Sequence, residues 1–133
     1  MKYYFDEEAA DRAVNFIEQF CTHVKGELAG KAFILEQWQK DDIVRPLFGW
    51  KHKESGLRKY RSCYVEIPRK NGKSNLAAAL ALLLLFADGE PGAEILSCAG
   101  DRGQANIVFH IAQEMIKNNK HLRSKAKVLR NTI

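Results

Sequence analysis

The sequence predicts an α/β fold, in which a partial parallel sheet is flanked by helices and preceded by an N-terminal helical segment. The second half of the chain alternates strand-like and helical segments between Ser62 and Asn118, an order typical of a parallel sheet covered by helices. A Gly-Lys-Ser sequence joins the first of these strands to the helix that follows it. An amphipathic pattern near the N-terminus indicates a separate helix. We therefore expect two parts, residues 1–32 and residues 33–133.

The first predicted helix runs from Asp6 to about Val24. Asp6 is a suitable N-cap residue, and the two glutamates after it suit the positive end of the helix dipole. Apolar residues at spacings of three and four form one stripe: Ala10, Ala13, Val14, Ile17, Phe20, Cys21 and Val24. Gly26 and Gly30 are expected to lie in a loop that breaks the helix.

The middle of the chain is predicted to contain a short extended segment, Phe33–Leu35, and a helix from Glu36 to about Leu47. Pro46 weakens this helix locally because it lacks the backbone N–H that a helix interior uses. Residues 51–61 are expected to form a polar, basic connector.

Two strands and two helices are predicted after the connector. Ser62–Ile67 and Glu94–Ala99 are rich in residues that favour strands. Residues 74–87 form a strongly apolar helix, which the glycines and proline of residues 88–92 should end. Residues 102–118 form a third long helix, whose apolar face consists of Ala105, Val108, Phe109, Ala112 and Met115 or Ile116. The last 15 residues are basic and receive no predicted element.

Composition and charge are those of a globular domain with a basic surface. Hydrophobic residues make up 46% and charged residues 28% of the 133 residues, and the net charge is +5. Basic residues cluster in residues 51–73 and 117–130. Such runs form either a solvated face or a surface that contacts a polyanion, and the sequence leaves both interpretations open.

The three cysteines, Cys21, Cys63 and Cys98, lack the spacing of a zinc site or a disulfide framework. Cys63 and Cys98 fall in the predicted strands, where we expect them to be buried. The N-terminus lacks the pattern of a signal peptide, and the longest apolar run, about 12 residues, is too short to span a bilayer. We therefore expect a cytosolic protein without a membrane partner.

A candidate phosphate-binding loop lies between the predicted strand and the apolar helix. The pattern G-x-x-x-x-G-K-[ST] is matched in its second half by Gly72, Lys73 and Ser74, whereas Ile67 replaces the first glycine. Backbone N–H groups at the helix start would face phosphate oxygens, the lysine would reach the outer phosphates, and the hydroxyl would bind Mg²⁺. The alternative is a basic turn in which Ser74 only caps the helix.

The segment from Val65 to Ser74 resembles the deviant phosphate loop of large terminase subunits, the DNA-packaging motors of tailed bacteriophages. These motors commonly carry a basic residue early in the loop, and Arg69 matches it. The resemblance implies an ASCE-type P-loop ATPase fold, with ATP and Mg²⁺ as cofactors. It implies a catalytic role for Arg69 and Lys73, because phosphoryl transfer depends largely on positioning and electrostatics. It also implies nucleotide contacts from Lys70, Asn71, Gly72, Ser74 and Asn75, with Ser74 binding the metal.

Two further segments support the resemblance. Phe33–Gln39, followed by Pro46–Trp50, is similar to the adenine-binding segment that precedes the loop in this family, and Gln39 matches its glutamine. A glutamine amide both donates and accepts, which suits the edge of adenine. Trp38 is expected in the core, with stacking on the base as the alternative. The stretch 94–105 resembles the strand and helix start that follow in the family, with Arg102 and Gln104 favoured as surface residues.

The resemblance implies that hydrolysis of ATP drives double-stranded DNA into a procapsid, with the terminase small subunit, the portal protein and a homo-oligomeric ring as partners, in the host cytoplasm. The Walker B strand and the nuclease domain of this family are not found in the sequence. We therefore expect an N-terminal fragment that binds nucleotide and hydrolyses it poorly. The alternatives are a fragment of another motor, such as a helicase, and a non-enzymatic basic nucleic-acid-binding module.

Overall fold

The fold, as a computed structural model, is described for residues 2–68, 73–89, 93–127 and 133. A short ribbon and a set of helices make up this part of the chain. In chain order, the elements are β1 (Tyr3–Phe5), α1 (Glu7–Phe20), a π-helical segment (Gln39–Val44), α2 (Arg45–Gly49), β2 (Trp50–His52), α3 (Lys73–Phe86), α4 (Arg102–Asn118) and α5 (Lys120–Lys125).

Helix α1 begins as predicted and ends earlier than predicted. The Asp6 carboxylate accepts a hydrogen bond from the backbone N–H of Ala9 at 3.0 Å, which confirms the N-cap. The buried side of the helix consists of Ala10, Ala13, Val14 and Ile17. The helix stops at Phe20 instead of continuing to Val24, because the chain turns there into a hairpin in which Thr22 pairs with Ala32.

This hairpin, residues 22–32, carries the two glycines that were expected to break the helix. Gly26 and Gly30 both have positive φ values, 78° and 84°, which glycine adopts without steric cost. The His23 N–H donates to the Lys31 carbonyl at 2.9 Å, and the Gly30 N–H donates to the His23 carbonyl at 2.8 Å. The predicted extended segment at residues 33–35 forms no ladder beyond this hairpin, although Phe33 and Leu35 are buried.

The second predicted helix is present but irregular. Helical backbone begins at Gln37, widens into the π-helical segment Gln39–Val44, and continues as α2 to Gly49. The Arg45 N–H donates to the Lys40 carbonyl, five residues earlier. Pro46 has no N–H to donate to the preceding turn, so the widened turns lie just before it and the helix passes through the proline without ending.

The described sheet is the antiparallel ribbon of β1 and β2, in which Tyr3, Tyr4 and Phe5 face His52, Lys51 and Trp50. The predicted parallel sheet is not observed in the part of the chain that the structure describes. The segments Ser62–Ile67 and Glu94–Ala99 lie outside any β-ladder among the described residues. Apolar side chains on them are exposed, including Tyr64 at 87% and Leu96 at 81%. The β-forming composition of both segments therefore has no pairing partner in the part of the chain that the structure describes.

The core lies between α1, α2, α3 and α4. Helix α3 is apolar on all sides, which is the pattern of a helix surrounded by others, and it packs against α1 and α4. Its buried residues are Leu76, Ala78, Ala79, Leu82 and Leu83. Helix α4 has the predicted bounds, and Asp101 caps it by accepting from the Gln104 N–H at 2.9 Å. Its contribution to the core is Ile111, Ala112, Met115 and Ile116.

Helix α5, which the sequence did not predict, closes one end of the core. Asn119 caps it by accepting from the Leu122 N–H at 3.0 Å, and Leu122 is buried. No helix in the described part of the chain combines the length and apolarity that crossing a membrane requires.

Candidate functional site

The candidate phosphate loop is described at both of its ends. Arg69, Lys70, Asn71 and Gly72 lie outside the described residues. Lys73, one residue earlier than predicted, is the first residue of α3. Helix α3 has 14 residues, so its N-terminus carries the partial positive charge of the helix dipole next to Lys73.

A cavity of about 620 Å³ opens at this helix start. It is lined by residues of the hairpin, of the α3 start and of α4: His23, Val24, Lys25, Gly26, Pro68, Lys73, Ser74, Asn75, Ile107 and Ile111. Its volume lies in the range of small-molecule sites, roughly 300–1,000 Å³. The structure therefore brings together three predicted site residues, Lys73, Ser74 and Asn75, with a part of the chain that lies about 50 residues earlier in the sequence.

The charge around this cavity is one-sided. Lys25 and Lys73 both line it, and no acidic side chain does so among the described residues. Neither lysine takes part in the ion pairs found in the described part of the chain. Two unpaired ammonium groups beside a helix N-terminus make the cavity suited to an anion.

A network centred on Thr22 fixes the hairpin against the helices. The Asn75 amide donates to the Thr22 carbonyl at 3.4 Å, and the Asn118 amide donates to the Thr22 hydroxyl at 3.2 Å. The Phe33 ring lies against the His23 imidazole, with 5.0 Å between ring centroids. Asn75, predicted as a nucleotide contact, thus also positions one wall of the cavity.

Gln39, the predicted adenine ligand, is buried, at 3% exposure, and does not line this cavity. Its amide oxygen accepts from the backbone N–H of Glu36 at 2.8 Å. This is the hydrogen bond that a glutamine at the third helical position makes in a capping box. An amide oxygen has two lone pairs, so the cap uses one acceptor position of Gln39.

Trp38 and Gln104 lie where the sequence favoured them. Trp38 is half-buried and packs against the core, while its indole N–H donates to the Glu36 carboxylate. This agrees with the core role favoured for Trp38. Gln104 is exposed on the first turn of α4, as favoured. The side chain of Arg102 lies outside the described residues.

Part of the first basic run is engaged within the chain. Lys51 pairs with Asp6 at 2.8 Å, and Arg58 pairs with Asp88. The Lys59 ammonium lies 4.5 Å from the centroid of the Tyr3 ring. Residues 51–61 were expected to form only a connector; they include the last two residues of β2 and hold the ribbon to the helices. Because these charges are already paired or packed, this run offers less free charge than the sequence suggested.

Two pKa shifts belong to this scaffold. The hydrogen bond from the Lys51 ammonium, followed by that from the Ala9 N–H, lowers the pKa of Asp6 below 3.8. The hydrogen bond to Asp11 is the main reason that the pKa of Arg45 is raised above its ordinary value. Both groups join α1 to the elements around residues 45–51 and stand outside the cavity at Lys73.

The cysteines reverse one prediction. Cys63 and Cys98 are exposed, because the segments that carry them do not pair into a sheet in the described part of the chain. Cys21 is buried, at 1% exposure, and burial raises the pKa of its thiol to about 12.

A second, larger cavity of about 1020 Å³ lies between α1, α3 and the segment after β2. Among the described residues, none of the predicted nucleotide contacts lines it. The α3 start, Lys25, Lys73 and Ser74 all lie at the smaller cavity, and we therefore place the candidate site there.

His23 and Lys25 line the site but were not predicted as site residues. Neither residue belongs to a motif. Both lie far from the phosphate loop in the sequence, so the sequence does not show that they are close to it in the fold. The glycines around them predicted a loop, but no pattern showed which helix that loop would meet.

Comparisons with known proteins match this chain to one family. The family described as the terminase large subunit, ATPase domain, matches residues 37–133. The large terminase subunit of Enterobacteria phage HK97 is 32% identical over 114 residues, which are 85% of this chain and 21% of that protein. The crystal structure of the HK97 bacteriophage large terminase superposes with a TM-score of 0.71 at 27% identity, and the match covers 91% of this chain and 23% of the other. The chain thus spans about a fifth of the length of these relatives.

Proposed function

The chain belongs to the ATPase-domain family of terminase large subunits, and from this we propose that its cavity at Lys73 binds ATP together with Mg²⁺. The observation that carries the proposal is the joint position of Lys73, Ser74 and the α3 N-terminus at a cavity without acidic lining among the described residues. The family match favours a packaging terminase over a helicase or a non-enzymatic basic module.

The donor set at the cavity fits a nucleotide triphosphate. The Lys73 ammonium and the backbone N–H groups of the first α3 turn are cationic or donating groups that suit phosphate oxygens. The Ser74 hydroxyl is the group that would hold Mg²⁺, which favours oxygen ligands and keeps most of its waters. In the described part of the chain, no group of three or more His, Cys, Asp or Glu side chains is positioned to hold a metal ion. When bound, Mg²⁺ neutralises charge on the phosphates.

The chain's own residues would act by position and charge. Lys73 would hold the outer phosphates, and Arg69 and Lys70 would add positive charge where charge develops during transfer. Asn71, Gly72 and Asn75 would complete the contacts of the loop. Because no carboxylate lines the cavity among the described residues, we expect the isolated chain to hydrolyse ATP poorly. Steady turnover that Lys73→Ala abolishes would contradict this expectation.

Gln39 would contact the adenine base. Its side chain has one acceptor position committed to the Glu36 N–H, and adenine needs both a donor and an acceptor from the amide. The substitution Gln39→Glu keeps the acceptor that caps the helix and removes the amide donor. It therefore separates base recognition from helix capping, which Gln39→Ala would not.

The test of the proposal is a titration with a fluorescent ATP analogue in the presence of Mg²⁺. We expect saturable binding by the chain. Lys73→Ala should weaken it by about 10- to 100-fold, because hydrogen bonds to charged groups contribute about 1.5–3 kcal/mol. Gln39→Glu should weaken it by less. The control is Lys53→Ala, which removes an exposed lysine that does not line the cavity.

Each outcome of this titration has a defined meaning. Equal loss of affinity in Lys53→Ala and Lys73→Ala would indicate nonspecific attraction to a basic surface. Binding of DNA that is indifferent to Lys73, with no binding of the analogue, would support the non-enzymatic module instead.

In the complete protein, hydrolysis would drive the translocation of double-stranded DNA into a procapsid. The partners would be the terminase small subunit, the portal protein and further copies of the subunit in a ring, in the cytoplasm of the host. The exposed basic residues after α4 would supply phosphate-backbone contacts, which make binding steeply dependent on salt. What supports this proposal is membership of the terminase family and the net charge of +5.

The segments Ser62–Ile67 and Glu94–Ala99 would be strands of a parallel sheet in a chain of the relatives' length. Their β-forming composition and their exposed apolar side chains support this proposal. Backbone groups of a strand find their partners on neighbouring strands. If so, the thiols of Cys63 and Cys98 become protected in the longer protein.

A further inference from the structure

The cavity at Lys73 has a second cationic wall, formed by the hairpin 22–32. Lys25 lines this wall together with the α3 start, and more than 40 residues of sequence separate it from Pro68 at the phosphate loop. We infer that Lys25 binds the phosphate chain of the nucleotide and is a determinant of the preference of this site for polyphosphates. This inference rests on the proposed function of the cavity.

Hydrogen bonds between its two arms hold the hairpin in a defined conformation. Its two arms are joined by the hydrogen bonds between His23 and the backbone of Lys31 and Gly30, at 2.9 and 2.8 Å. Gly26, next to Lys25, turns the chain with a φ of 78°. The backbone that carries Lys25 is therefore held in place before any ligand binds, which lowers the entropic cost of using its side chain.

Hydrogen bonds link the hairpin to the phosphate-loop helix. Asn75 in the first turn of α3 donates to the Thr22 carbonyl, and Asn118 at the end of α4 donates to the Thr22 hydroxyl. These contacts set the distance across the cavity. Lys25 and Lys73 consequently line one cavity from two elements that these hydrogen bonds hold together.

The electrostatics of the cavity favour an anion with several charges. Lys25 and Lys73 line the same cavity, and none of its described lining residues is acidic. Like charges that line one cavity repel, and the cavity also receives the positive end of the α3 dipole. An anion with several charges relieves this repulsion better than an anion with one, so the arrangement favours a polyphosphate.

Solvent limits the size of the effect. The Lys25 side chain is exposed, and exposed charge pairs contribute at most about 1 kcal/mol, which is about fivefold in affinity. The effect should also shrink as salt is raised, because the Debye length falls from ~10 Å at 0.1 M to ~3 Å at 1 M.

The experiment measures the affinity of the chain for Mg²⁺-ATP and for inorganic tripolyphosphate by calorimetric titration, beside Lys25→Gln, Lys25→Arg and Lys31→Gln. Lys31 is an exposed lysine of the same hairpin that does not line the cavity, so Lys31→Gln is the matched control. We expect Lys25→Gln to weaken both ligands by about the same fivefold factor, whereas Lys25→Arg and Lys31→Gln bind like the unaltered chain.

Two results would overturn the inference while leaving the nucleotide site intact. One is unchanged affinity in Lys25→Gln under conditions where Lys73→Ala abolishes binding. The other is a loss for ATP without a loss for tripolyphosphate, which would assign Lys25 to the base or the ribose. Absence of binding by the folded, unaltered chain would overturn the proposed function and this inference together.

Discussion

Gly49 lies where the ribbon meets the end of α2, and replacing it with alanine tests the packing at this junction. A Cβ atom built on Gly49 would lie 2.4 and 2.6 Å from two atoms of the Phe5 ring. Carbon atoms that are not bonded approach to about 3.5–4.0 Å at their energy minimum. The alanine would therefore fit only if the ring or the ribbon moved by about 1 Å.

The sign of the effect distinguishes this clash from ordinary helix propensity. Gly49 is the last residue of α2, where alanine is otherwise favoured over glycine by up to about 1 kcal/mol. Overpacking costs about 1–3 kcal/mol. Because the Phe5 ring also contacts Trp50 at 5.3 Å between centroids and the Arg45 guanidinium at 5.7 Å, we expect the clash to prevail. Gly49→Ala should lower the free energy of unfolding by about 1–2 kcal/mol.

Urea unfolding followed by circular dichroism at 222 nm measures this change. Gly100→Ala is the control, because no atom lies within 4 Å of its added Cβ, and its effect should stay within about 0.5 kcal/mol. In the background Phe5→Leu, which shortens the obstructing side chain, the cost of Gly49→Ala should fall. A Gly49→Ala variant that is as stable as the unaltered chain would refute the proposed packing of the ribbon.

Two further predictions concern groups whose titration or exposure is described. When the native chain is treated with a thiol reagent at about pH 8, Cys63 and Cys98 should react rapidly and Cys21 slowly. Cys21 reacts slowly because it is 1% exposed and its thiol has a pKa of about 12. Equal reaction rates at all three cysteines, measured by mass spectrometry, would contradict the burial of Cys21. The pKa of Asp6 in the folded chain is lowered below 3.8. The Asp6 carboxylate therefore contributes its full stabilisation above the unfolded-state pKa, and this contribution is lost as the pH falls through the folded-state pKa. As the pH is lowered, the free energy of unfolding should therefore fall more steeply in the unaltered chain than in Asp6→Asn, which retains a good N-cap residue. Acid-unfolding curves with the same slope in both chains would show that the Asp6 carboxylate is not specifically stabilised.

Local signals predicted the helices well. The N-cap at Asp6, the apolar run of α3 and the bounds of α4 all follow from side chains that act on their own neighbours in sequence. These interactions span three or four residues, and their pattern is visible without the fold. The π-helical turns before Pro46 were not predicted. The proline indicates that a backbone hydrogen bond is missing from the helix, but not which backbone geometry accommodates the loss.

Long-range relations could not be predicted in the same way. The parallel sheet inferred from the alternation of elements depends on pairing partners, and the described residues provide none for the segments around Tyr64 and Leu96. The candidate site shows the same division. Lys73, Ser74 and Asn75 were predicted from the loop pattern. Lys25 was not predicted, because it reaches the cavity only through the folding of the hairpin against the start of α3.

The placement of the two tryptophans has an optical consequence. Trp50 lies in the ribbon against Phe5, and Trp38 precedes Gln39 at the start of the helix; neither lines the cavity at Lys73. A ligand confined to that cavity leaves both indoles in unchanged surroundings. A ligand whose base extends to Gln39 changes the emission of Trp38 alone. Intrinsic fluorescence of a Trp50→Phe variant would therefore report which end of the nucleotide is engaged, without any label on the ligand.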